Sequence, residues 1–393
     1  MSLLIRDAVI VLPSGPFRGD LLSLGPRIVA VGHGLEAPGA ALIEAAGLTA
    51  APGFVDIHVH GGGGHTFFTD DPAEIVAYAR WAPSRGVTAF LVSTAAPDHA
   101  ALVARLASLR HALGPLEAAA EPLGFHLEGP FLSPVRRGAF PAHYLRPPSI
   151  AEYEALHEAA GGAIRQVTIA PELPGAPAVI HTIARLGAVP AMGHTDATIP
   201  QCREGFEAGI AHATHLFNAM RPIHQREGGP VVAALNHPAL TAELICDGAH
   251  VEPAVLQLAY RLLGPSRAVI VTDNLHLAGA EDAPASFEGE PLRIAGAHAA
   301  RPDGTIVGSV ATFDVHVRNA VEYFGLDLPA LARLSASNPA RVAGASDRKG
   351  QLEPGFDADL VLLDGDFHVH ATICRGALAY LRPGSPARYH PSA

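Results

Sequence analysis

The fold is decided by the stretch Phe54-Val55-Asp56-Ile57-His58-Val59-His60, which combines strand-like alternation with two histidines at its end. Successive side chains of a strand point to opposite faces, so the two imidazoles face the same side and can converge on one ion. Glycines at positions 61–64 follow directly and leave open space beyond the histidines. The pattern predicts a strand that carries metal ligands at its carboxyl end.

Other potential metal ligands follow His58 and His60 in order along the chain. Each lies near the end of an apolar, strand-like run and before a loop rich in Gly, Asn or Thr: Glu128, His194, His215 and Asp273. A (β/α)8 barrel gathers the carboxyl ends of its strands on one face, where active sites of that fold lie. We therefore predict one metal-hydrolase site, assembled from at least five strands.

Strand-like and helix-like stretches alternate through the middle of the chain, as a parallel β/α fold requires. Eight strands are predicted, at 54–60, 87–94, 123–128, 166–170, 188–193, 210–215, 242–247 and 268–273. Amphipathic stretches predict helices at 71–85, 98–113, 149–160, 198–208, 253–263, 309–324 and 328–337. Eight is the strand number of a TIM-type barrel, so the predicted class is α/β with a (β/α)8 barrel over residues 52–345.

The two ends of the chain have a different texture, with short alternating strands and turns rich in Pro and Gly. Strands are predicted at 4–11, 21–24 and 28–31, and again at 358–363 and 371–380. We expect residues 1–51 and 346–393 to pair as one small flanking β-sandwich domain.

Composition excludes several classes of protein. The net charge of −11 is spread along the chain without a basic stripe, which argues against nucleic acid as a partner. No apolar run reaches the ~18 residues of a membrane helix, and the three separated cysteines fit a reducing cytoplasm. Lys349 is the only lysine, and it comes after the predicted barrel strands. Schiff-base catalysis and a bridging barrel lysine are therefore excluded, and Glu128 is the candidate bridge if two ions bind.

Several motifs together resemble the N-acetylglucosamine-6-phosphate deacetylase family of the amidohydrolase superfamily. They are Pro52-Gly53-Phe54-Val55-Asp56-Ile57-His58-Val59-His60-Gly61, His126-Leu127-Glu128-Gly129-Pro130-Phe131, Gly193-His194-Thr195-Asp196-Ala197-Thr198, Ala213-Thr214-His215-Leu216-Phe217-Asn218-Ala219-Met220, Arg226-Glu227, Asp247-Gly248-Ala249-His250-Val251 and Val271-Thr272-Asp273. The motifs run in order from about Pro52 to Ala343. Two of them, His126–Pro130 and Ala213–Met220, separate this family from other metal-dependent amidohydrolases.

The resemblance implies hydrolysis of the N-acetyl amide of N-acetylglucosamine 6-phosphate to the amine and acetate. It assigns Glu128, His194 and His215 to the main metal, and His58 with His60 to a second ion. Imidazole and carboxylate ligands suit zinc first, with iron, cobalt and manganese as alternatives. A metal-bound hydroxide would be the nucleophile, and Asp273 would be the general acid/base.

The resemblance also implies the substrate contacts and a cytoplasmic homodimer. Arg226 and His250 match positions that hold the phosphate, with the arginine reaching a neighbouring subunit, and a guanidinium suits phosphate. The remaining contacts would come from Ala139, Asn218, Ala219, Val307, Gly308 and Ser309. Purely structural alternatives pair Glu128 with Arg136 or Arg137, pair Arg226 with Glu227, and leave His250 as a solvated loop residue.

The chain departs from the family pattern at two places. Phe140 stands where many members have a histidine, and His143 or a second metal would have to replace that histidine. Gly228-Gly229 follows Arg226-Glu227 where Pro-Gly is usual, which changes the stiffness of the loop.

Alternative functions remain. They are deacetylation of another N-acetylhexosamine phosphate such as N-acetylgalactosamine 6-phosphate, a cyclic-amide hydrolase of the dihydroorotase kind, and a non-catalytic sugar-phosphate sensor. Retention of Asp273 together with all five ligands argues against the sensor.

Overall fold

The structure is a computed structural model that describes residues 2–392. The chain begins with five strands: β1 (Ser2–Leu12), β2 (Gly15–Leu24), β3 (Arg27–Gly32), β4 (Ala41–Glu44) and β5 (Thr49–Pro52). One edge of β1 pairs with β2, which in turn pairs with β3, in antiparallel fashion. The other edge of β1 pairs in parallel with β4 and then with β5. The sheet therefore divides into two arms at β1.

The next strands form the barrel. They are β6 (Phe54–Asp56), then the small hairpin β7 (Gly61–Gly62) and β8 (His65–Thr66), and then β9 (Val87–Thr94), β10 (Glu121–Glu128), β11 (Ile164–Ile169), β12 (Val189–Met192), β13 (His212–Ala213), β14 (Thr241–Ile245) and β15 (Ala268–Val271). Leaving out the hairpin, eight strands pair in parallel in the order β6-β9-β10-β11-β12-β13-β14-β15. Just beyond β6 and β15, Asp273 N–H donates to His58 C=O (2.8 Å) and His60 N–H donates to Asn274 C=O (2.8 Å). These bonds bring the sheet close to closure, and the predicted TIM-type barrel is confirmed.

Helices alternate with the barrel strands: α1 (Pro72–Trp81), α2 (His99–Leu109), α3 (Ile150–Ala159), α4 (Ala176–Arg185), α5 (Ile199–Ala208), α6 (Gly229–Asn236) and α7 (Pro253–Leu263). Side-chain caps mark the starts of the first two helices. Asp71 accepts a hydrogen bond from Ala73 N–H (2.9 Å) at α1, and Asp98 accepts one from Ala101 N–H (2.8 Å) at α2. Helices α4 and α6 were not predicted from the sequence.

An insertion of five short strands follows β15 and was also not predicted: β16 (Ser286–Phe287), β17 (Glu290–Pro291), β18 (Arg293–Ala295), β19 (His298–Ala300) and β20 (Ile306–Ser309). The chain continues through α8 (Phe313–Phe324), α9 (Leu328–Ala332), a π-helical turn (Arg333–Ser337) and α10 (Asn338–Val342). The predicted helix over 309–324 therefore begins later, because Ser309 ends β20 and residues 310–312 connect it to α8.

The chain ends with four strands that return to the first sheet: β21 (Leu360–Leu363), β22 (Val369–Cys374), β23 (Ala377–Leu381) and β24 (Arg388–His390). β21 pairs with β5, and β24 pairs with β4, so both chain ends build one nine-stranded mixed sheet. The two arms enclose their own core, which includes Ile5, Ile43 and Ile373. The predicted single strand over 371–380 is a hairpin, because Arg375 (φ 49°) and Gly376 (φ 78°) form a left-handed turn.

Charged side chains fill the junction between this sheet and the amino-terminal end of the barrel. Lys349 is 1% exposed, and its Nζ lies 2.9 Å from Glu121, 3.1 Å from Asp357 and 2.5 Å from Asp359. Arg348 forms a bidentate pair with Glu121 (2.7 and 2.9 Å). Glu121 begins β10 and Glu128 ends it, so this cluster lies at the opposite end of the barrel from the predicted ligands.

Within residues 2–392, no helix combines the length and the apolar character needed to cross a membrane. The thiols of Cys202, Cys246 and Cys374 are free and buried.

Candidate metal centre

A cavity of about 240 Å³ opens at the carboxyl ends of the barrel strands. Its walls include ten of the residues predicted from the sequence: His60, Glu128, Ala139, His194, His215, Asn218, Ala219, His250, Asp273 and Val307. His58 lies behind the wall and is fully buried. The barrel thus brings together, around one cavity, ligands that are far apart in the sequence.

Three of the side chains form a first ligand group. Oε1 of Glu128 is 3.0 Å from Nε2 of His194 and 3.0 Å from Nε2 of His215, and the two nitrogens are 3.1 Å apart. Ligand atoms of a tetrahedral zinc ion lie about 3.3 Å apart when the bonds are about 2.0 to 2.1 Å long. The triangle therefore has the size that one ion requires.

His58, His60 and Asp273 form a second group beside the first. Oδ1 of Asp273 is 3.4 Å from Nε2 of His58 and 3.3 Å from Nε2 of His60, and these two nitrogens are 3.3 Å apart. The other carboxylate oxygen of Glu128, Oε2, lies 3.1 Å from Nε2 of His60. Glu128 thus contacts both groups with different oxygens, as a bridging carboxylate would.

The hydrogen bonds behind the imidazoles direct nitrogen lone pairs into the centre. Nδ1 of His60 donates to the Ser93 carbonyl (3.1 Å), and Nδ1 of His194 donates to the Arg136 carbonyl (3.0 Å). A neutral imidazole that donates from Nδ1 presents a lone pair at Nε2, which is the form that binds a metal. Nitrogen lone pairs and carboxylates that face one another at about 3 Å need positive charge between them. The described side chains therefore fit one or two divalent cations.

Electrostatics show the same need for positive charge at this centre. Burial opposes ionisation of Glu128, but the imidazole of His58 and the contacts with His194 and His215 hold its pKa well below the ordinary value. Burial also opposes protonation of His60, yet Asp273 and Glu128 outweigh it and raise the pKa to about 9. The positive charge can come from protons on the imidazoles or from a divalent cation, and the two compete for the same nitrogens.

Left-handed backbone conformation is concentrated at this centre. His194 (φ 46°), His215 (φ 25°) and Asp273 (φ 52°) all have positive φ, as does Ala219 (φ 49°). Such a conformation costs a non-glycine residue about 1–3 kcal/mol and persists where the surrounding structure enforces it. It turns the chain sharply after each strand, so that the side chain points into the cavity.

The predicted phosphate contacts lie in two different places. His250 has a buried side chain (4% exposed), and its Nδ1 contacts Oδ2 of Asp247 at 2.6 Å. It lines the cavity with Nε2 4.0 Å from Asp273, so it is not a solvated loop residue. Arg226, in contrast, is exposed on the loop before α6 and does not line the cavity of its own chain.

The structural alternatives for the charged residues are wrong. Arg136 pairs with Asp196 (2.7 Å), and Arg137 donates to the Phe140 carbonyl (2.5 Å), so neither neutralises Glu128. The carboxylate of Glu227 pairs with Arg221 (2.9 Å).

Two more predicted contacts lie just behind the wall of the cavity. Ser309 is fully buried, and its hydroxyl donates to the Ala297 carbonyl (3.1 Å). A Cβ on Gly308 would approach the Asp273 carbonyl to 2.8 Å, so glycine lets β20 pass close to the general acid/base candidate.

Phe140 faces the cavity in place of the histidine of the family pattern. Its ring lies 5.5 Å from the ring of His194. His143 is exposed in a short 3-10 turn and is not among the residues that line the cavity. The hypothesis that His143 replaces the missing histidine therefore has no support from its position.

Sequence reasoning missed part of the wall and the support of the ligands. The unpredicted wall residues are mostly apolar: Phe68, Gly138, Leu275, Phe287, Thr305 and Ile306. Glu243, buried in β14, contacts Nδ1 of His58 at 2.8 Å, and Asp247 holds His250. A carboxylate within the apolar run of β14 was the available signal for Glu243.

Comparison with known proteins identifies the family to which the chain belongs. A family model described as "Amidohydrolase family" matches residues 49–379. N-acetylglucosamine-6-phosphate deacetylase of Bacillus subtilis (strain 168) is 35% identical over 333 residues, which are 84% of each chain. N-acetylgalactosamine-6-phosphate deacetylase of Escherichia coli O157:H7 is 34% identical over 332 residues, which are 84% of this chain and 87% of that protein.

A solved structure is similar over almost the whole length. It is a mutant N-acetyl-D-glucosamine-6-phosphate deacetylase from Mycobacterium smegmatis in complex with N-acetyl-D-glucosamine-6-phosphate. The TM-score is 0.88 at 35% identity, with 96% of this chain and 99% of that chain covered. The chain therefore belongs to the amidohydrolase family and, within it, to the N-acetylglucosamine-6-phosphate deacetylases.

Proposed function

We propose that the chain hydrolyses the N-acetyl amide of N-acetylglucosamine 6-phosphate and releases glucosamine 6-phosphate and acetate. Water adds its oxygen to the acetyl carbon, the C–N bond breaks, and the amine nitrogen takes up a proton. The observation that carries the proposal is the pair of buried ligand groups that meet at Glu128, with Asp273 of the second group on the wall of the cavity. The relatives and the solved structure support the choice of substrate.

Metal binding would use five residues of the two ligand groups, without Asp273. Glu128, His194 and His215 would hold the main ion, and His58 and His60 would hold a second one, with Glu128 between them. A divalent metal, when bound, polarises a carbonyl and lowers the pKa of water enough to supply a nucleophile near neutral pH. The ligand atoms alone suit zinc, iron, cobalt or manganese.

Asp273 would move the proton. Burial raises its pKa, but the imidazoles of His58 and His60 outweigh burial and lower it below the ordinary value, so the carboxylate is ionised and able to accept a proton. The same oxygen can then give that proton to the departing nitrogen, which an amide needs because its amine is a poor leaving group. The position of Asp273 on the cavity wall supports this role.

The remaining wall would position the sugar phosphate. His250 would contact the phosphate, and Asn218, Ala219 and the Ala139 backbone would contact the sugar. Val307, Gly308 and Ser309, which end β20, would also contact the substrate.

We further propose a homodimer in which Arg226 completes the phosphate site of the neighbouring subunit. The exposed position of Arg226, outside its own cavity, supports this arrangement. Residues 1–51 and 346–393 would form the supporting domain, and residues 52–345 the catalytic barrel.

A mixed-subunit experiment tests the dimer. Asp273→Asn and Arg226→Ala proteins are each expected to be weak on the phosphorylated sugar. When they are co-expressed, a mixed dimer contains one site with Asp273 from one subunit and Arg226 from the other. Activity should therefore return on co-expression, whereas no recovery would show that Arg226 serves its own subunit or none.

The function itself is tested by acetate release from a panel of sugars after reconstitution with each metal. The panel contains N-acetylglucosamine and N-acetylgalactosamine, each with and without a 6-phosphate. The galactosamine epimer is the second candidate because the relative from Escherichia coli O157:H7 carries that name. Faster turnover of the unphosphorylated sugars, or no acetate from any of them, would contradict the proposal.

A further inference from the structure

The buried carboxylate of Glu243 lies directly behind both ligand groups. Glu243 belongs to β14 and is fully buried. We propose that Glu243 is a positioning residue that couples the two ion sites, an inference that rests on the proposed metal centre. Its carboxylate would hold the imidazole of His58 and the backbone N–H of His215.

Both oxygens of Glu243 are occupied by hydrogen-bond donors. Oε2 lies 2.8 Å from Nδ1 of His58 and accepts from His215 N–H at 2.8 Å. Oε1 accepts from the Gln166 side-chain amide at 2.7 Å and lies 3.1 Å from Nε2 of His212. Four donors saturate the acceptor sites of a carboxylate. This saturation accounts for a carboxylate inside the barrel, where an unsatisfied charge would be strongly destabilising.

The contact with His58 fixes which of its nitrogens can bind a metal. Because a carboxylate oxygen only accepts hydrogen bonds, Nδ1 of His58 has to carry the proton. The lone pair of His58 is then at Nε2, which faces His60 and Asp273. A carboxylate behind a histidine ligand also makes the ligand more basic and fixes the plane of the ring.

The contact with His215 acts on the other ligand group. His215 has the left-handed backbone (φ 25°) that directs its ring toward Glu128 and His194. The hydrogen bond from its N–H to Oε2 of Glu243 holds that turn in place. The same oxygen therefore supports a ligand of each group, so a change at Glu243 should weaken both ions together.

The alternative is a purely structural role, in which Glu243 only satisfies the polar residues deeper in the barrel. On that side, Oε1 receives Gln166 and His212, and Nδ1 of His212 contacts the Thr241 hydroxyl (2.7 Å). Gln166→Met serves as the matched control, because it removes one donor from Oε1 and leaves both contacts of Oε2. Glu243→Gln keeps the size of the side chain but removes the charge behind His58.

The experiment titrates the metal-stripped full-length proteins with Zn²⁺ against a competing chelator. We expect Glu243→Gln to lower the affinity for both ions by about 10- to 100-fold, while Gln166→Met stays close to wild type. Equal affinities in the Glu243→Gln and Gln166→Met proteins would overturn the proposal. Acetate release by wild type is measured separately, so a wild-type protein that binds zinc without activity contradicts the proposed function and not the role of Glu243.

A measurement on the zinc-loaded wild-type protein keeps the proposal testable if Glu243→Gln does not fold. Nuclear magnetic resonance with ¹⁵N-labelled histidine should show a proton on Nδ1 of His58 that is protected from exchange with water. A zinc ion bound through Nδ1, or a His58 ring whose Nδ1 carries no protected proton, would overturn the proposal.

Discussion

Replacement of Lys349 by methionine tests the charged junction between the terminal sheet and the barrel. Arg348 still neutralises Glu121 and Asp357 in this variant, with contacts of 2.7 to 2.9 Å. Asp359 loses the ammonium group of Lys349, which lies 2.5 Å from its carboxylate. It keeps the hydrogen bond that the backbone N–H of Arg375 donates (2.7 Å). The perturbation is therefore one buried carboxylate without a cation.

The magnitude follows from the protonation that such a carboxylate needs. Burial already raises the pKa of Asp359 above its ordinary value, against the opposing effect of Lys349. Protonating an aspartate with an unfolded-state pKa near 3.9 costs about 4 kcal/mol at pH 7 and about 1.5 kcal/mol at pH 5. The larger value agrees with the roughly 3–5 kcal/mol found when one partner of a buried ion pair is removed. Because the folded-state pKa is raised, the folded protein binds the proton more tightly, and the stability of the variant falls as the pH rises.

Urea unfolding at pH 5 and pH 7 measures this effect. Lys349→Met should lower the free energy of unfolding far more at pH 7 than at pH 5. The double variant Lys349→Met with Asp359→Asn should recover most of the loss and show little pH dependence, because the unpaired carboxylate is gone. The metal content of both variants should equal that of wild type, since the junction lies at the other end of the barrel. A loss of the same size at both pH values, or a double variant no more stable than the single one, would refute the reasoning.

Three further predictions concern the metal centre. Asp273→Asn should reduce acetate release by about 10²- to 10⁴-fold while the ion held by Glu128, His194 and His215 stays bound, and an active variant would exclude Asp273 from proton transfer. Arg226→Ala should raise KM for the 6-phosphorylated sugar much more than for the unphosphorylated one; equal changes would show that the arginine does not bind the phosphate. His58→Ala combined with His60→Ala should reduce bound metal from about two equivalents to one, measured by elemental analysis, whereas unchanged stoichiometry would leave a mononuclear site.

Much of the fold could be predicted because the barrel strands are apolar and their ends are marked. The bounds predicted for β9, residues 87–94, are the bounds of the strand in the structure. The strand predicted at 54–60 is shorter, because regular pairing stops after Asp56 and the histidines follow in the turn toward the cavity. The insertion β16–β20 gave no signal, since strands of two to four residues are too short to show alternation.

The ligands could be predicted from the sequence, but the residues that hold them in place could not. His194 and His215 stand at strand ends within recognisable motifs, and the barrel places all strand ends on one face. The pairing of Glu243 with His58 joins residues 185 positions apart, and no local pattern specifies it. The apolar wall has the same origin: Phe68 and Phe287 meet edge to face with ring centres 4.8 Å apart only after the insertion has folded over the barrel mouth.

The burial of Lys349 also determines how this chain responds to chemical probes. Lys349 is the only lysine in the sequence, and it is 1% exposed. Lysine-directed cross-linkers and dyes can therefore reach it only when the terminal sheet separates from the barrel. Mass-spectrometric detection of a modified Lys349 would thus record the opening of that junction, in a background free of other labelled lysines.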